Sequence, residues 1–283
     1  MTVPVARCSS GRPGEEPLIV DIEVLGPVRL RARGRPERLG PQLARLVAAL
    51  VCARGEAVGS ERLVTLLWDD APRAGARDRQ ATLRSHVSHL RRLLASDGDP
   101  DAPEVRRVSG RGYALTVPPR RLDADRFEGL VLAGRAAASR DDAVLAVARY
   151  REALLLWRGT PFGALARQPY ALAEGRRLAE LRAAAGQGLL LARLEAGDHA
   201  AIVRELGELV AARPRQVEPR RMLVTALHRA GRPDEAIAAC RAGLALLAAD
   251  GVASPVLEAL LHELLAGPAR PGWMRAGELT RGG

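Results

Sequence analysis

Apolar positions alternate at the start of the chain, turn to a helical spacing, alternate once more, and then stay helical to the end. Leu18 to Leu25 (LIVDIEVL) is β-branched and partly alternating; Gly26-Pro27 interrupts it and Val28 to Ala32 resumes it. Gly34 and Pro36 turn the chain again before Leu39, so the pattern predicts a small antiparallel sheet. From Pro41 the period changes. Leu43, Leu46, Val47 and Leu50 share one helical face, with proline in the first turn and Gly55 past the end. Ala57-Val58 is a short extended piece. Ser60 is placed to cap a second helix, SERLVTLLW, with Leu63, Leu66 and Leu67 inward. Pro72 and Gly75 keep WDDAPRAGARD from helicity, and Asp78 is placed to cap a third helix.

That third helix, Arg79 to Ala95, has an apolar spine of Leu83, Val87, Leu90 and Leu94. At about 100° per residue, Ser85, Ser88 and Arg92 project opposite the spine, Arg84 and Arg91 flank one side and His89 the other. Four arginines (79, 84, 91, 92) and no acidic residue fall between Asp78 and Asp97. Arginine reads guanine edges or phosphates, and serine and histidine add hydrogen bonds, so such a face suits a DNA major groove. Taken alone the helix reads equally as a solvated amphipathic helix with an arginine bias. Its surroundings decide. After the turn signal Asp97-Gly98-Asp99-Pro100, two β-prone arms, Val105–Val108 and Tyr113–Val117, flank Ser109-Gly110-Arg111-Gly112. This predicts a hairpin with Arg111 at the tip and Arg106 and Arg107 on an arm. Sheet, three helices and hairpin make a winged helix, in which the third helix reads the major groove. Its hairpin touches the neighbouring backbone or minor groove, where arginine is favoured.

Pro118-Pro119 punctuates the chain, and from Asp125 to about Ala266 only helical periodicity follows. Expected helices are Asp125–Ser139, Asp141–Leu156, one or two over Gln168–Ala196, His199–Ala212, Glu218–Ala230, Pro233–Ala249 and a last one opened by Ser254-Pro255. The joints at Gly197 and Gly231 are nearly alike and 34 residues apart, the period of tetratricopeptide helix pairs. The expected fold is therefore mainly α: an N-terminal winged-helix DNA-binding domain (small sheet, three helices and wing hairpin), then an all-α TPR-like domain. The expected domains are a disordered tail at 1–17, the winged helix at 18–118, the helical domain at 119–267 and a disordered tail at 268–283.

Composition changes this picture in small ways. The formal net charge is +10 over 283 residues, which favours a polyanionic partner. All 43 basic residues are arginine, so part of that charge reflects coding bias, and local clustering carries more weight than the total. Cys8, Cys52 and Cys240 are too scattered for a metal or disulfide framework and read as buried free thiols. The first residues lack the apolar core of a signal peptide, and no apolar run approaches ~18 residues. A cytoplasmic, nucleoid-associated protein with no membrane partner is expected. A Walker A loop would need a lysine, and neither G-x-S-x-G nor H-E-x-x-H occurs. His86 and His89 lack the further ligands of a metal site and read as the polar flank of the third helix. No enzyme activity, metal or cofactor is expected.

Several segments in unbroken order resemble one family. They are LGPVRL (25–30), RLVTLLWDDAP (62–72), ATLRSHVSHLRRLL (81–94), GRGYAL (110–115), LDADRFEGLV (122–131), REALLLWRGTPF (151–162), AEGRRLAELR (173–182) and LHRAGRPDEAIAACR (227–241). The chain resembles a Streptomyces antibiotic regulatory protein, an OmpR-type winged helix joined to a bacterial transcriptional activation domain. The resemblance implies an activator of secondary-metabolite (antibiotic) gene clusters that binds direct repeats in double-stranded DNA near the promoter −35 region. It also implies recruitment of RNA polymerase holoenzyme, and head-to-tail loading brings self-association on DNA. It places Arg84, Ser85, Ser88, His89, Arg91 and Arg92 on or beside the recognition helix, and Arg106, Arg107 and Arg111 on the wing. Trp68, Asp69, Asp70 and Arg73 fall in the polymerase-contacting loop. His89 departs from the family, which has arginine there; a shorter, mostly neutral side chain loses a contact or reads a different base. The competing reading is a helical-repeat adaptor whose winged helix docks proteins.

Overall fold

The structure is a computed structural model and describes residues 19–32, 34–68, 76–96 and 99–266. It opens with a three-stranded antiparallel sheet in the order β1 (Val20–Glu23), β2 (Arg29–Ala32), β3 (Arg35–Glu37). Val20 pairs with Ala32, and Leu30 with Glu37. Val20, Ile22 and Leu30 are buried. The helices that follow are α1 (Pro41–Cys52), α2 (Ser60–Trp68) and α3 (Ala76–Leu94), and the hairpin β4 (Glu104–Val108) and β5 (Gly112–Thr116) closes the set. Leu43, Leu46, Val47 and Leu50 of α1, Leu63 and Leu67 of α2, and Leu83, Val87, Leu90 and Leu94 of α3 are buried, whereas Leu66, also expected inward, is half-buried. Each such leucine removed from water is worth about 1.5–3 kcal/mol.

Helix starts differ slightly from the sequence reading. α2 begins at Ser60 itself, and the Gly59 carbonyl accepts the Leu63 amide at 2.9 Å, so glycine holds the cap position. α3 begins at Ala76, which puts Asp78 inside the first turn, where its charge still complements the exposed amides.

The helical half comprises α4 (Asp123–Ala138), α5 (Ala143–Leu155), α6 (Pro169–Glu195), α7 (His199–Ala212), α8 (Val217–Arg229), α9 (Pro233–Ala249) and α10 (Pro255–Leu265). α6 is a single helix. The two similar joints are one motif: Gly197 and Gly231 take φ of 89° and 76°. The Asp198 amide donates to the Arg193 carbonyl and the Arg232 amide to the Leu227 carbonyl, each five residues back. This six-residue closure is the glycine-ended helix stop, repeated at the tetratricopeptide interval. Around these joints Leu194, Ile202, Leu206, Met222 and Ala226 form one core cluster, and Val224, Leu227, Cys240, Leu247 and Leu257 form the next.

The chain divides into two compact units. One runs to Val131 and includes Glu152–Ala183; the other holds Leu132–Arg151 and the residues from Ala184 on. The first turns of α4, the segment after α5 and the first half of α6 fall in the same compact unit as the sheet and the wing. Both expected tails, and Cys8, lie outside the described residues. Cys240 is buried, and its thiol lies 3.3 Å from the Leu257 carbonyl. Cys52 is only partly buried, yet burial pushes its thiol up to about 12. Among the described residues no helix is long and apolar enough to cross a membrane.

Candidate nucleic-acid interface

With the spine of α3 buried, its other face is fixed outward. Arg84, Ser85, Ser88, His89, Arg91 and Arg92 are all exposed. The Ser85 hydroxyl donates to the Ala81 carbonyl at 3.3 Å, which parks it against its own helix. Arg84 and Arg92 make no hydrogen bond or ion pair with another described residue. Arg91 differs: its Nε–H donates to the Val105 carbonyl of β4 at 2.9 Å. His86 is half-buried, its ring 6.1 Å from that of Trp68 at the end of α2. Burial and the neighbouring His89 hold its imidazole below the ordinary histidine value. Only His89 of the two histidines thus lies on the exposed polar face. Among the described residues no three His, Cys, Asp or Glu side chains gather as a metal site.

The wing is built to a register that pairs Glu104 with Thr116 and Val108 with Gly112. The pleat alternates its side chains. Arg107 shares a face with Val105, Tyr113 and Leu115, whereas Arg106 shares the other with Glu104 and Thr116. Arg106 is engaged there, donating to the Thr116 hydroxyl at 3.1 Å with Glu104 at 4.0 Å. Arg107 and Arg111 are exposed and make no such contact with a described residue. The expected extended piece at Val58 joins the wing, exchanging both backbone hydrogen bonds with Tyr113 at 2.8 and 3.0 Å. Gly112 permits this approach, because a Cβ there would lie 2.1 Å from the Val58 carbonyl oxygen. Of the expected polymerase-contacting loop, Trp68 is described and partly buried; Asp69, Asp70 and Arg73 lie outside the described residues.

The sequence reading did not find the residues that hold this platform from behind. Asp123, at the start of α4, is 4% exposed. Its carboxylate accepts the amides of Val24 and Leu25 at 2.8 and 3.0 Å and a hydrogen bond from Arg158 at 3.0 Å. The backbone of the segment after α5 completes the arrangement. The Arg158 amide donates to the Leu25 carbonyl and the Phe162 amide to the Val24 carbonyl, both at 2.8 Å. Every polar group of the Val24-Leu25 dipeptide is thereby matched, as burial demands. Beside it, Glu23 receives Arg29 and Arg31. Burial opposes the charge of Glu23, but those hydrogen bonds and the charge of Arg158 outweigh it and hold the carboxyl below its ordinary value. The sequence pattern opens α4 at Asp125, and the structure opens it at Asp123, whose carboxylate is drawn to the Val24 and Leu25 amides.

A basic, exposed helix on a winged-helix core, followed by repeated helix pairs, defines a DNA-binding transcription regulator with a helical activation half. Comparison with known proteins agrees. The family model for the bacterial transcriptional activator domain matches residues 122–265, and that for the C-terminal domain of transcriptional regulatory proteins matches 34–115. The regulatory protein DnrI of Streptomyces peucetius is 33% identical over 78% of this chain and 82% of its own length. AfsR of Streptomyces coelicolor is 34% identical over 80% of this chain, but that match takes in 22% of AfsR. The transcriptional regulatory protein EmbR of Mycobacterium tuberculosis is 31% identical over 87% of this chain. The chain spans 63% of EmbR, under two thirds of that protein. A solved structure of EmbR with a low-affinity phosphopeptide superposes with a TM-score of 0.73 at 29% identity, covering 89% of this chain and 66% of that one. The chain belongs to the Streptomyces antibiotic regulatory protein family of transcriptional activators.

Proposed function

We propose that this protein activates a secondary-metabolite gene cluster by binding direct repeats near a promoter −35 region and recruiting RNA polymerase. The observation that carries the reading is the outward face of α3. Arg84 and Arg92 stand exposed without a described partner, beside Ser88 and His89, on a helix whose spine is locked into the core. Unpaired guanidinium groups are free to displace counterions from phosphates and to read guanine edges. In this reading α3 enters the major groove and Arg107 and Arg111 of the wing reach the flanking backbone or minor groove. Ser85 adds a hydrogen bond once its hydroxyl rotates away from Ala81. The α2–α3 loop, with Trp68, Asp69, Asp70 and Arg73, faces the polymerase, and head-to-tail copies load on adjacent repeats. Its work is done in the cytoplasm, on the nucleoid, and involves no catalysis; the relatives named above are regulators.

Footprinting of the full-length protein on the promoters beside its own gene tests this directly. The expected result is protection of two or more repeats in one orientation, about one helical turn or a multiple of it apart. Uniform, sequence-independent protection, or none, would favour the adaptor reading instead.

A further inference from the structure

The arginines on α3 and the wing are not equivalent, and the difference assigns a separate role to one of them. Arg84 and Arg92 have no described partner, but Arg91 donates from Nε to the Val105 carbonyl in β4. With the spine centred on Leu83, Val87, Leu90 and Leu94, Arg91 lies about 80° around α3 from Leu83 and Arg92 about 180°. Arg91 thus faces the wing, and Arg92 faces away from the core. Val105 is itself buried and paired with Leu115, so its carbonyl is a fixed point of the hairpin. Hydrogen bonds from an ionised donor are among the stronger ones, and this one joins two elements 14 residues apart in sequence.

We propose that Arg91 is a positioning residue that locks the angle between the recognition helix and the wing, so that Arg92 and Arg111 engage one duplex together. It acts through Val105 and not through a phosphate. The inference rests on the DNA-binding reading above for its effect on affinity, and on the hydrogen bond alone for its effect on the wing.

The test uses the full-length protein and a labelled duplex selected from a random pool by the wild type, with Arg91→Lys as the central variant. Lysine keeps the charge but has a methylene where arginine has Nε–H. Arg91→Lys and Arg91→Ala are each expected to weaken binding about fivefold to tenfold. Arg91→Lys is expected to keep the wild-type dependence of affinity on salt. In an Arg111→Ala background either change at 91 is expected to cost much less, because the wing contact it positions is already gone. Arg92→Ala serves as the reference phosphate or base contact, with a salt slope lower by about one. Wild-type affinity in Arg91→Lys, or full additivity with Arg111→Ala, would overturn the proposal. Hydrogen exchange without DNA gives a second readout. Amides of Glu104–Val108 are expected to exchange faster in Arg91→Ala, and unchanged protection would overturn the tie even if the variants bind DNA poorly. Should Arg92→Ala bind as the wild type does, the DNA reading of α3 fails while the exchange result still decides the role of Arg91.

Discussion

Arginine does opposite things at the front and at the back of the winged helix. On α3 and the wing, Arg84, Arg92, Arg107 and Arg111 stand in solvent without a partner among the described residues. Elsewhere in the same unit several arginines are answered by carboxylates. Arg158 meets Asp123 and Glu23, Arg121 meets Asp99 and Asp21, and Arg54 and Arg177 share Glu128 and Glu174. The side chain is the same; burial and the supply of carboxylates differ. A hydrated, unpaired guanidinium costs the fold little and remains available to a phosphate. A half-buried one must be paired to be tolerated, and then it joins elements instead of binding ligands. A net charge of +10 therefore mixes paired and unpaired arginines, and in the proposed reading the unpaired ones on α3 and the wing are those that meet DNA.

The sharpest way to break the comparison is to remove the carboxylate at the back. Asp123→Ala leaves Arg158 without its nearest anion and orphans the amides of Val24 and Leu25. A buried pair broken on one side costs about 3–5 kcal/mol. Urea unfolding is expected to show that loss in the transition of the unit that carries α3. Asp123→Asn, which keeps one acceptor for the amides, is expected to lose less. Wild-type stability in both would show that the 157–163 segment docks without help from Asp123.

Removing arginines from the front has the converse signature. Arg84→Ala and Arg92→Ala are each expected to leave the unfolding midpoint unchanged and to weaken DNA binding about tenfold, with a salt slope lower by about one per contact. Fluorescence anisotropy across a salt series measures both quantities. A change that lowered stability and left DNA affinity intact would reverse the assignment of the two populations.

The front was legible in the sequence and the back was not, for one physical reason. The spine of α3 and the Gly-Arg-Gly turn of the wing are local patterns, set by helix and strand periods within about twenty residues. Asp123 reaches Val24 and Leu25 across nearly a hundred residues, and Arg91 reaches Val105 across fourteen. No period encodes such partners, so Arg91 reads from sequence as one more groove arginine, and Asp123 falls just outside the helix expected from Asp125. The uncertain length of α6 has a similar origin. A Cβ at Gly188 would lie 2.7 Å from the Tyr150 ring, and one at Gly134 would lie 2.9 Å from it. These glycines make room for a side chain inside continuous helices.

His89 sharpens the comparison on the front face itself. It is exposed and lacks arginine's permanent charge, so its contribution is expected in discrimination more than in total affinity. His89→Arg, which restores the family's residue, is expected to tighten binding to unrelated duplexes and to shift the preferred base at one position per half-site. Discrimination at that position is expected to change by about 1–3 kcal/mol. Selection from a random pool with both proteins reads this directly; identical selected sites would place His89 away from the bases.

The smallest effect is expected from the paired arginines nearest the surface. Burial opposes the charge of Glu174, but hydrogen bonds from Arg177 and Arg54 outweigh it and hold its carboxyl below the ordinary glutamate value. A carboxyl lowered in the folded state adds stability above its unfolded value, and that stability is lost as pH falls through the folded one. The loss therefore falls below about pH 4. Arg54 and Arg177 keep 53% and 40% of their side chains exposed, so solvent screens the cluster to about 0.5–1 kcal/mol. Glu174→Gln is expected to lower the melting temperature slightly at neutral pH and to converge on the wild type in acid. The melting curves that decide this need no DNA. A constant gap between the two proteins down to acid pH would mean that Glu174 acts through packing, and that its arginines are held by shape more than by charge.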